Sequence, residues 1–211
     1  MNSKITTILI VDIVGYTKKT SELSRDKLNQ LHDVFDNNSL PIFAKYHGSV
    51  LKKTGDAFFV TFDSPTNALL SAMSLQNLFR IYNEKNKFPL TIRAVVHSGE
   101  VLIRKNDIYG DTVNTAARIE EMTKPGDILF TESVFQTMNK NEIPYVHIGP
   151  RKFKGLKFPV RLFKVKKKET NYLKLRRFFR KVKSKLVSLL ILILLVVIIV
   201  ASWVVMNKFL F

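Results

Sequence analysis

The sequence has no cysteine among its 211 residues. It can therefore form no disulfide and offers no thiolate ligand to a metal, which fits a protein of a reducing compartment. It also shows no signal-peptide pattern, because Asp12 interrupts the apolar run that begins at Ile8 before that run is long enough. We therefore expect no N-terminal export. The length and the hydrophobic content of 46% fit one domain with a real core rather than two.

Acidic residues are scarce in only one part of the chain. Residues 1–163 carry 22 Lys and Arg against 16 Asp and Glu, whereas residues 164–185 carry 11 against one. A nucleic-acid-binding domain would spread its basic residues over the folded part. Most of the net charge of +17 instead lies in one short run, so we expect no nucleic acid as a partner.

Charge is absent altogether from residues 186–206, a run of 21 mostly apolar residues. As a helix this run is about 31 Å long, which matches the hydrocarbon thickness of a bilayer. A domain of this size could not surround such a helix, so we predict a transmembrane helix. Six basic residues crowd its N-terminal side: Arg176, Arg177, Arg180, Lys181, Lys183 and Lys185. The positive-inside rule then places the preceding chain in the cytoplasm.

These features predict a tail-anchored, single-pass membrane protein. Residues 1–165 are the cytoplasmic domain, 166–185 a basic juxtamembrane segment, 186–206 the membrane helix and 207–211 a short tail outside. We expect membrane lipid as a partner and a bacterial inner membrane as the location. The basic segment either lies along anionic lipid or forms a solvated linker helix.

The hydrophobic periodicity predicts an α+β fold. Strands are predicted at residues 5–11, 50–54, 57–62, 90–96, 100–103, 128–131, 145–148 and 160–165, and helices at 24–46, 65–83 and 113–122. Gly55-Asp56 and Ser98-Gly99 are the expected hairpin turns. This element order is that of a ferredoxin-like α/β sandwich with additions at its end.

Asp12 and Asp56 are candidate metal ligands. Asp12 ends an apolar strand, and Asp56 lies in the turn of a hairpin that we expect to pair with that strand. A buried carboxylate needs an opposite charge or a metal, and two hard oxygen ligands suit Mg²⁺ or Mn²⁺. The alternative is that Asp56 only forms the turn and Asp12 only caps a helix.

Two further features could contact a nucleotide. Gly15-Tyr16-Thr17 is a glycine turn leading into a helix, which can aim backbone N–H groups at a triphosphate. Asn114 and Arg118 share one helix face, where an amide and a guanidinium can grip a ribose and a phosphoryl group. Taken singly, such features also occur on ordinary protein surfaces.

Four motifs combine these residues: VDIVGYT at 11–17, LKKTGDAF at 51–58, DIYGDTVNTAAR at 107–118 and FKG at 153–155. In order and spacing they resemble the class III adenylyl and guanylyl cyclases, over about residues 5–165. The resemblance implies the ferredoxin-like catalytic fold of that family. It also implies ring closure of a nucleoside triphosphate to a 3′,5′-cyclic nucleotide and pyrophosphate.

The resemblance implies which residues bind metal and base. Asp12, Asp56 and the Ile13 backbone match the ligands of two Mg²⁺ or Mn²⁺ ions. Lys52 and Asp107 match the pair that reads the purine edge. In this family lysine with aspartate accompanies adenine, whereas glutamate with cysteine accompanies guanine, so the resemblance implies ATP as the substrate.

The remaining matches imply roles around the ribose and the phosphates. Asn114 matches the residue that orients the ribose, Arg118 the one that stabilises the α-phosphoryl group in the transition state, and Lys154 a contact to the β and γ phosphates. Each site in the family draws on two chains, so the resemblance implies a homodimer with shared active sites. Four histidines fall outside the matched positions and are interpreted as structural or surface residues: His32, His47, His97 and His147.

Three other functions are alternatives to that of an adenylyl cyclase. A guanylyl cyclase is disfavoured by Lys52 and Asp107, and a diguanylate cyclase by the missing GG(D/E)EF signature. A non-catalytic nucleotide-binding or scaffolding domain is disfavoured because every matched side chain is present. One departure from the family is the short connection from Val101 to Asp107, which is longer in the animal receptor-type members, where it reaches over the partner.

Overall fold

The computed structural model describes residues 2–86, 88–104 and 107–167. The chain divides into two units, Met1–Lys166 and Lys167–Phe211. The predicted membrane helix and its tail lie outside the described residues, as does the predicted juxtamembrane segment beyond Lys167. Within the described ranges no helix is long and apolar enough to cross a membrane.

Eight strands and five helices make up the described part. The strands are β1 (Asn2–Ile13), β2 (Ser49–Thr54), β3 (Ala57–Phe62), β4 (Ile92–Arg104), β5 (Asp107–Tyr109), β6 (Ile128–Thr131), β7 (Tyr145–Arg151) and β8 (Val160–Val165). The helices are α1 (Tyr16–Glu22), α2 (Arg25–Lys45), α3 (Pro65–Lys85), α4 (Asp111–Met122) and α5 (Glu132–Thr137).

All these strands belong to one mixed sheet, in the order β2-β3-β1-β4-β6-β8-β7, with β5 paired to β4. Strand β1 lies antiparallel to both β3 and β4, and β2 lies antiparallel to β3. With α2 and α3 as crossovers, these four strands form the split βαβ arrangement of the ferredoxin-like fold. The predicted α+β sandwich is therefore confirmed, and β6 to β8 are its additions.

The side chains of β1 alternate between two apolar layers. Leu9, Val11 and Ile13 lie in a large buried cluster that includes residues of α2 and α3. Ile8 and Ile10 point to the other face, where they pack in a smaller cluster with residues of α4. A side chain that is fully buried in this way contributes about 1.5–3 kcal/mol. Because successive residues of a strand alternate, Asp12 faces the same side as Ile8 and Ile10.

The prediction of a turn at Ser98-Gly99 is wrong. Both residues lie inside the continuous strand β4, where Ser98 pairs with Thr7 and Gly99 with Thr6 of β1. Gly99 has a different function here, because a Cβ atom at that position would lie 2.6 Å from Oγ1 of Thr112. The glycine therefore allows the start of α4 to approach the sheet closely.

Two short helices were not predicted from the sequence. Helices α1 and α5 have seven and six residues, which is too short for a period of 3.6 to show. The long helix α3 was predicted and begins as its sequence indicates. The Ser64 hydroxyl accepts a hydrogen bond from the Asn67 N–H over 3.3 Å, and Pro65 occupies the first helical position.

Candidate active site

The β1–β3 pairing brings Asp12 and Asp56 together. Asp12 pairs with Ala57, the residue directly after Asp56, so the β2–β3 turn lies beside the end of β1. Gly55 has φ +59 in this turn, a conformation that favours glycine. The Ile13 N–H donates to the Asp56 carbonyl oxygen over 3.3 Å. The turn of the hairpin is thus tied to β1 next to the two carboxylates.

Burial raises the pKa of both carboxyl groups, and Asp12 raises that of Asp56 further. Burial raises the pKa of Asp12, and hydrogen bonds from Asp56 and Arg93 oppose that rise only in part. Burial, together with the hydrogen bond and the charge of Asp12, raises the pKa of Asp56 to about 6. A divalent cation would relieve this repulsion, and carboxylate oxygens are ligands that Mg²⁺ and Mn²⁺ prefer. The pair therefore fits the implied metal site.

A pair of carboxylates alone is a small ligand set. Among the described residues no group of three or more His, Asp or Glu side chains is gathered as a metal site. Backbone oxygens and substrate phosphates commonly complete the shell of Mg²⁺. Ile13, the third implied ligand, would contribute from its backbone.

Arg93 also belongs to this site, and the sequence analysis missed it. Its Nε donates to Asp12 Oδ2 over 2.7 Å, and its Nη2 lies 2.5 Å from Glu120 Oε1 of α4. The Asp12 side chain is only 8% exposed, so this guanidinium balances a nearly buried charge. An arginine within the apolar strand Ile92–Val96 was the signal that could have identified it.

Lys52 and Asp107 form an ion pair within the chain. The Lys52 Nζ lies 2.8 Å from Asp107 Oδ2 and 3.0 Å from Oδ1. The hydrogen bond from Lys52 lowers the pKa of Asp107. The two residues are 55 positions apart, and strands β2 and β5 carry them to this contact. The predicted purine-reading pair is therefore assembled, with both side chains partly accessible.

The glycine turn after β1 adopts the expected geometry. Gly15 has φ +70, and α1 begins at the next residue, Tyr16. The Val14 N–H donates to the Thr91 carbonyl over 2.8 Å and holds the turn against the start of β4. Thr17 lies in α1, but its side chain is outside the described part of the structure.

Asn114, Arg118 and Lys154 are the remaining predicted site residues, and all three are exposed. Asn114 and Arg118 are exposed on α4, where Arg118 Nη1 donates to Glu121 Oε1 over 3.0 Å. Lys154 is exposed on the connection between β7 and β8. In the described part of the chain, no hydrogen bond or ion pair joins these three side chains to Asp12 or Asp56. One chain thus brings Asp12 close to Asp56 and Lys52 close to Asp107.

Comparison with known proteins places this geometry in a family. The sequence model of the adenylate and guanylate cyclase catalytic domain matches residues 2–174. An adenylate cyclase from Glutamicibacter nicotianae is 32% identical over 135 residues, which cover 64% of this chain and 32% of that protein. The chain spans only 17%, 28% and 41% of three other curated relatives.

Two solved structures share the fold. The adenylyl cyclase CyaB from P. aeruginosa has a TM-score of 0.71 and 22% identity, with 81% of this chain and 99% of that chain covered. The guanylate cyclase domain of RhGC from Catenaria anguillulae, in complex with GTP, has a TM-score of 0.70 and 21% identity, with 80% and 100% covered. These likenesses concern the fold, whereas the sequence match extends over most of the chain. The chain belongs to the adenylate and guanylate cyclase catalytic domain family.

Proposed function

We propose that this protein is a membrane-anchored adenylyl cyclase that converts ATP to 3′,5′-cyclic AMP and pyrophosphate. The observation that carries the choice of ATP is the ion pair between Lys52 and Asp107, at 2.8 Å. An ammonium group donates to N1 of adenine, and a carboxylate accepts from the N6 amino group. Guanine presents the reverse pattern, so it would leave both side chains facing groups of the wrong kind.

The reaction is an intramolecular displacement. The ribose 3′-hydroxyl gives its proton to water, and its oxygen bonds to the α-phosphorus while the bond from that phosphorus to the bridging oxygen breaks and pyrophosphate leaves. Asp12, Asp56 and the Ile13 carbonyl would hold two Mg²⁺ or Mn²⁺ ions. Such ions, when bound, lower the pKa of the hydroxyl group and stabilise the developing charge, so no histidine base is required.

The chain's other residues bind and orient the nucleotide. Asn114 holds the ribose, Arg118 stabilises the charge on the α-phosphoryl group, and Lys154 contacts the β and γ phosphates. The turn from Gly15 to Thr17 offers backbone N–H groups to the triphosphate. The resemblance of these positions to the family's motifs supports the roles.

The active form is a homodimer with two shared sites. Support comes from the exposed positions of Asn114 and Arg118, which form no hydrogen bond or ion pair to Asp12 or Asp56 within the described part of one chain. A second copy facing α4 can supply the missing half of each site, and a two-fold axis then generates two complete sites. The membrane helix at 186–206 would confine the protomers to one plane and so favour their encounter.

The test compares nucleotides on the full-length chain in liposomes. Cyclic AMP and cyclic GMP are measured after incubation with ATP or GTP and either Mg²⁺ or Mn²⁺. We expect the protein to turn over ATP with a clear preference over GTP. A preference for GTP would indicate a guanylyl cyclase, and absence of both products would indicate a non-catalytic nucleotide-binding domain. Retention in the membrane fraction after alkaline extraction tests the anchor.

A further inference from the structure

A chain of polar contacts joins α1, α2 and β2 on the face of the sheet away from Asp12. Tyr16 Oη lies 2.7 Å from His32 Nε2, and Lys53 Nζ lies 3.2 Å from His32 Nδ1. Lys53 Nζ also donates to Asp36 Oδ1 over 2.5 Å. We call these four residues the His32 network. Tyr16 belongs to the turn that we propose binds the triphosphate, whereas the other three residues have no predicted role in the site.

The donors and acceptors of the network can be assigned. A lysine ammonium group has three donors and no acceptor, so Nδ1 of His32 must accept from Lys53. The proton of the neutral imidazole therefore resides on Nε2, which donates to the Tyr16 hydroxyl oxygen. Both ring nitrogens are used, and this selects one tautomer and one ring orientation.

Aromatic packing holds the same groups in place. The Tyr16 and His32 rings meet edge to face with centroids 5.4 Å apart. The Lys53 Nζ lies 5.4 Å from the centroid of Phe58 and 5.9 Å from that of Phe35, both buried. The half-buried surroundings strengthen hydrogen bonds that water would otherwise weaken. The network is therefore packed against the buried aromatic residues of this face and is only partly exposed to solvent.

The network connects the two segments that carry the candidate metal ligands. Tyr16 follows Ile13 by three residues, and Lys53 precedes Asp56 by three. Successive side chains of β2 point to opposite faces, so Lys52 reaches Asp107 on one side while Lys53 reaches α2 on the other. His32 thus lies behind the site and joins the turn after β1 to the β2–β3 hairpin.

We infer that His32 is a positioning residue, which fixes the Gly15–Thr17 turn relative to the β2–β3 hairpin through its bonds to Tyr16 and Lys53. This inference rests on the proposed function, because the turn and the hairpin form the triphosphate and metal half of that site. A displaced turn would bind the triphosphate less well. The displaced turn would not move Asn114 and Arg118, which act on the reacting groups.

The test uses variants of the two residues that bond to His32, of which Lys53 also bonds to Asp36. Tyr16→Phe keeps the ring and loses the hydroxyl, and Lys53→Met keeps the aliphatic stem over the two rings. Each should raise the KM for ATP about fivefold, the size of one or two lost hydrogen bonds, and change kcat less than about twofold. The affinity for 3′-deoxy-ATP, which lacks the attacking hydroxyl, should fall by the same factor in direct binding measurements.

Because both bonds meet at His32, the double variant should raise KM by less than the product of the single effects. His32→Gln retains one donor and one acceptor and should restore KM to within about twofold of the wild type, whereas His32→Ala should not. A purely structural role would lower stability and kcat together. It would not produce this rescue.

The chain offers two matched controls. The Tyr46 hydroxyl lies 2.9 Å from Ser74 Oγ, and Lys140 Nζ lies 5.0 Å from the centroid of Phe135. Tyr46→Phe removes a tyrosine hydrogen bond and Lys140→Met a contact between a lysine and an aromatic ring, and both should leave KM unchanged. The inference is overturned if the network variants leave KM and analogue affinity unchanged, or if the controls raise KM equally.

Failure of the inference can be told from failure of the proposed function. If the wild-type chain makes cyclic AMP and the Tyr16→Phe variant has the same KM for ATP, the inference about His32 is overturned and the proposed function stands. A wild-type chain that makes no cyclic nucleotide overturns the proposed function. In that case the affinities for 3′-deoxy-ATP still decide whether the network positions the nucleotide site.

Discussion

Arg93 Nε donates to Asp12 Oδ2 over 2.7 Å because the two residues are direct partners in the antiparallel register of β1 and β4. The same guanidinium reaches Glu120 of α4 at 2.5 Å. Arg93 therefore lies among three acidic side chains, those of Asp12, Asp56 and Glu120. The site carries excess negative charge, which a divalent cation can neutralise.

The carboxylate pair should make the metal-free protein less stable as the pH rises. The pKa of Asp56 is about 6 in the folded chain, above its ordinary value of 3.8, so the folded state holds the extra proton between these values. The contribution of Asp56 to the free energy of unfolding is then largest below pH 4 and is lost as the pH rises through 6. Thermal unfolding in EDTA across this range measures the effect.

Mn²⁺ should reverse that loss above pH 6, since it binds the folded state. Asp56→Asn should raise the melting temperature in EDTA at pH 8 by a few degrees, because it removes the repulsion. The same variant should lose the rise with Mn²⁺ and all cyclase activity. Asp63→Asn, at an exposed position paired with Lys4, serves as the control and should change none of these. An unchanged Mn²⁺ response in Asp56→Asn would contradict the metal assignment.

His97 should make the domain sensitive to acid in the opposite direction. Burial lowers the pKa of His97 to about 4, and its Nδ1 lies 2.8 Å from Thr131 Oγ1. As the pH falls, His97 is protonated in the unfolded chain before it is protonated in the folded chain. The contribution of His97 to the free energy of unfolding is therefore fully present above pH 6.5 and falls on the order of 3 kcal/mol by pH 4. Urea unfolding of the wild type and of His97→Gln, compared pH by pH, isolates this contribution because both proteins carry the same carboxylates. His147→Gln, at an exposed position, should follow the wild type.

Exchanging the purine-reading pair should change the preferred nucleotide. In the double variant Lys52→Glu with Asp107→Cys, the glutamate accepts from N1 and N2 of guanine, and no ammonium remains for adenine. We expect the ratio of kcat/KM for GTP to that for ATP to rise at least about tenfold. Lys53→Met, next to Lys52 but on the other face, is the control and should retain the preference for ATP. A double variant that still prefers ATP would show that other residues read the base.

Complementation tests the shared sites. Asp56→Asn and Arg118→Ala should each be inactive alone, since every site of either homodimer lacks one required group. In a mixed dimer one site has both defects and the other has none. An equal mixture should therefore recover about a quarter of the wild-type activity. Recovery is absent if each chain carries a complete site of its own.

Local sequence patterns predicted most elements of the fold. The apolar run before Asp12 forms the central strand β1, and Gly55-Asp56 forms the turn of the β2–β3 hairpin that pairs with it. These features depend on neighbouring residues, and periodicity and turn chemistry report them directly. Ser98-Gly99 has the composition of a turn, but its strand contact with Thr6 and Thr7 of β1 keeps it extended within β4. That contact joins residues distant in sequence, and no local pattern reports it.

The candidate site likewise combines features that the sequence predicts with features that depend on contacts between distant residues. The sequence by itself determined the family, through four motifs, and with it the residues to examine. It also determined an uncharged run at 186–206, whose membrane role stays a prediction.

The tertiary structure decided which of those residues meet. It joins Lys52 to Asp107 and Asp12 to Arg93, and it places His32 between Tyr16 and Lys53. Such contacts depend on strand register and on the packing of helices across the sheet. A side chain's partner is therefore set by the whole fold, whereas its chemical capacity is already present in the sequence.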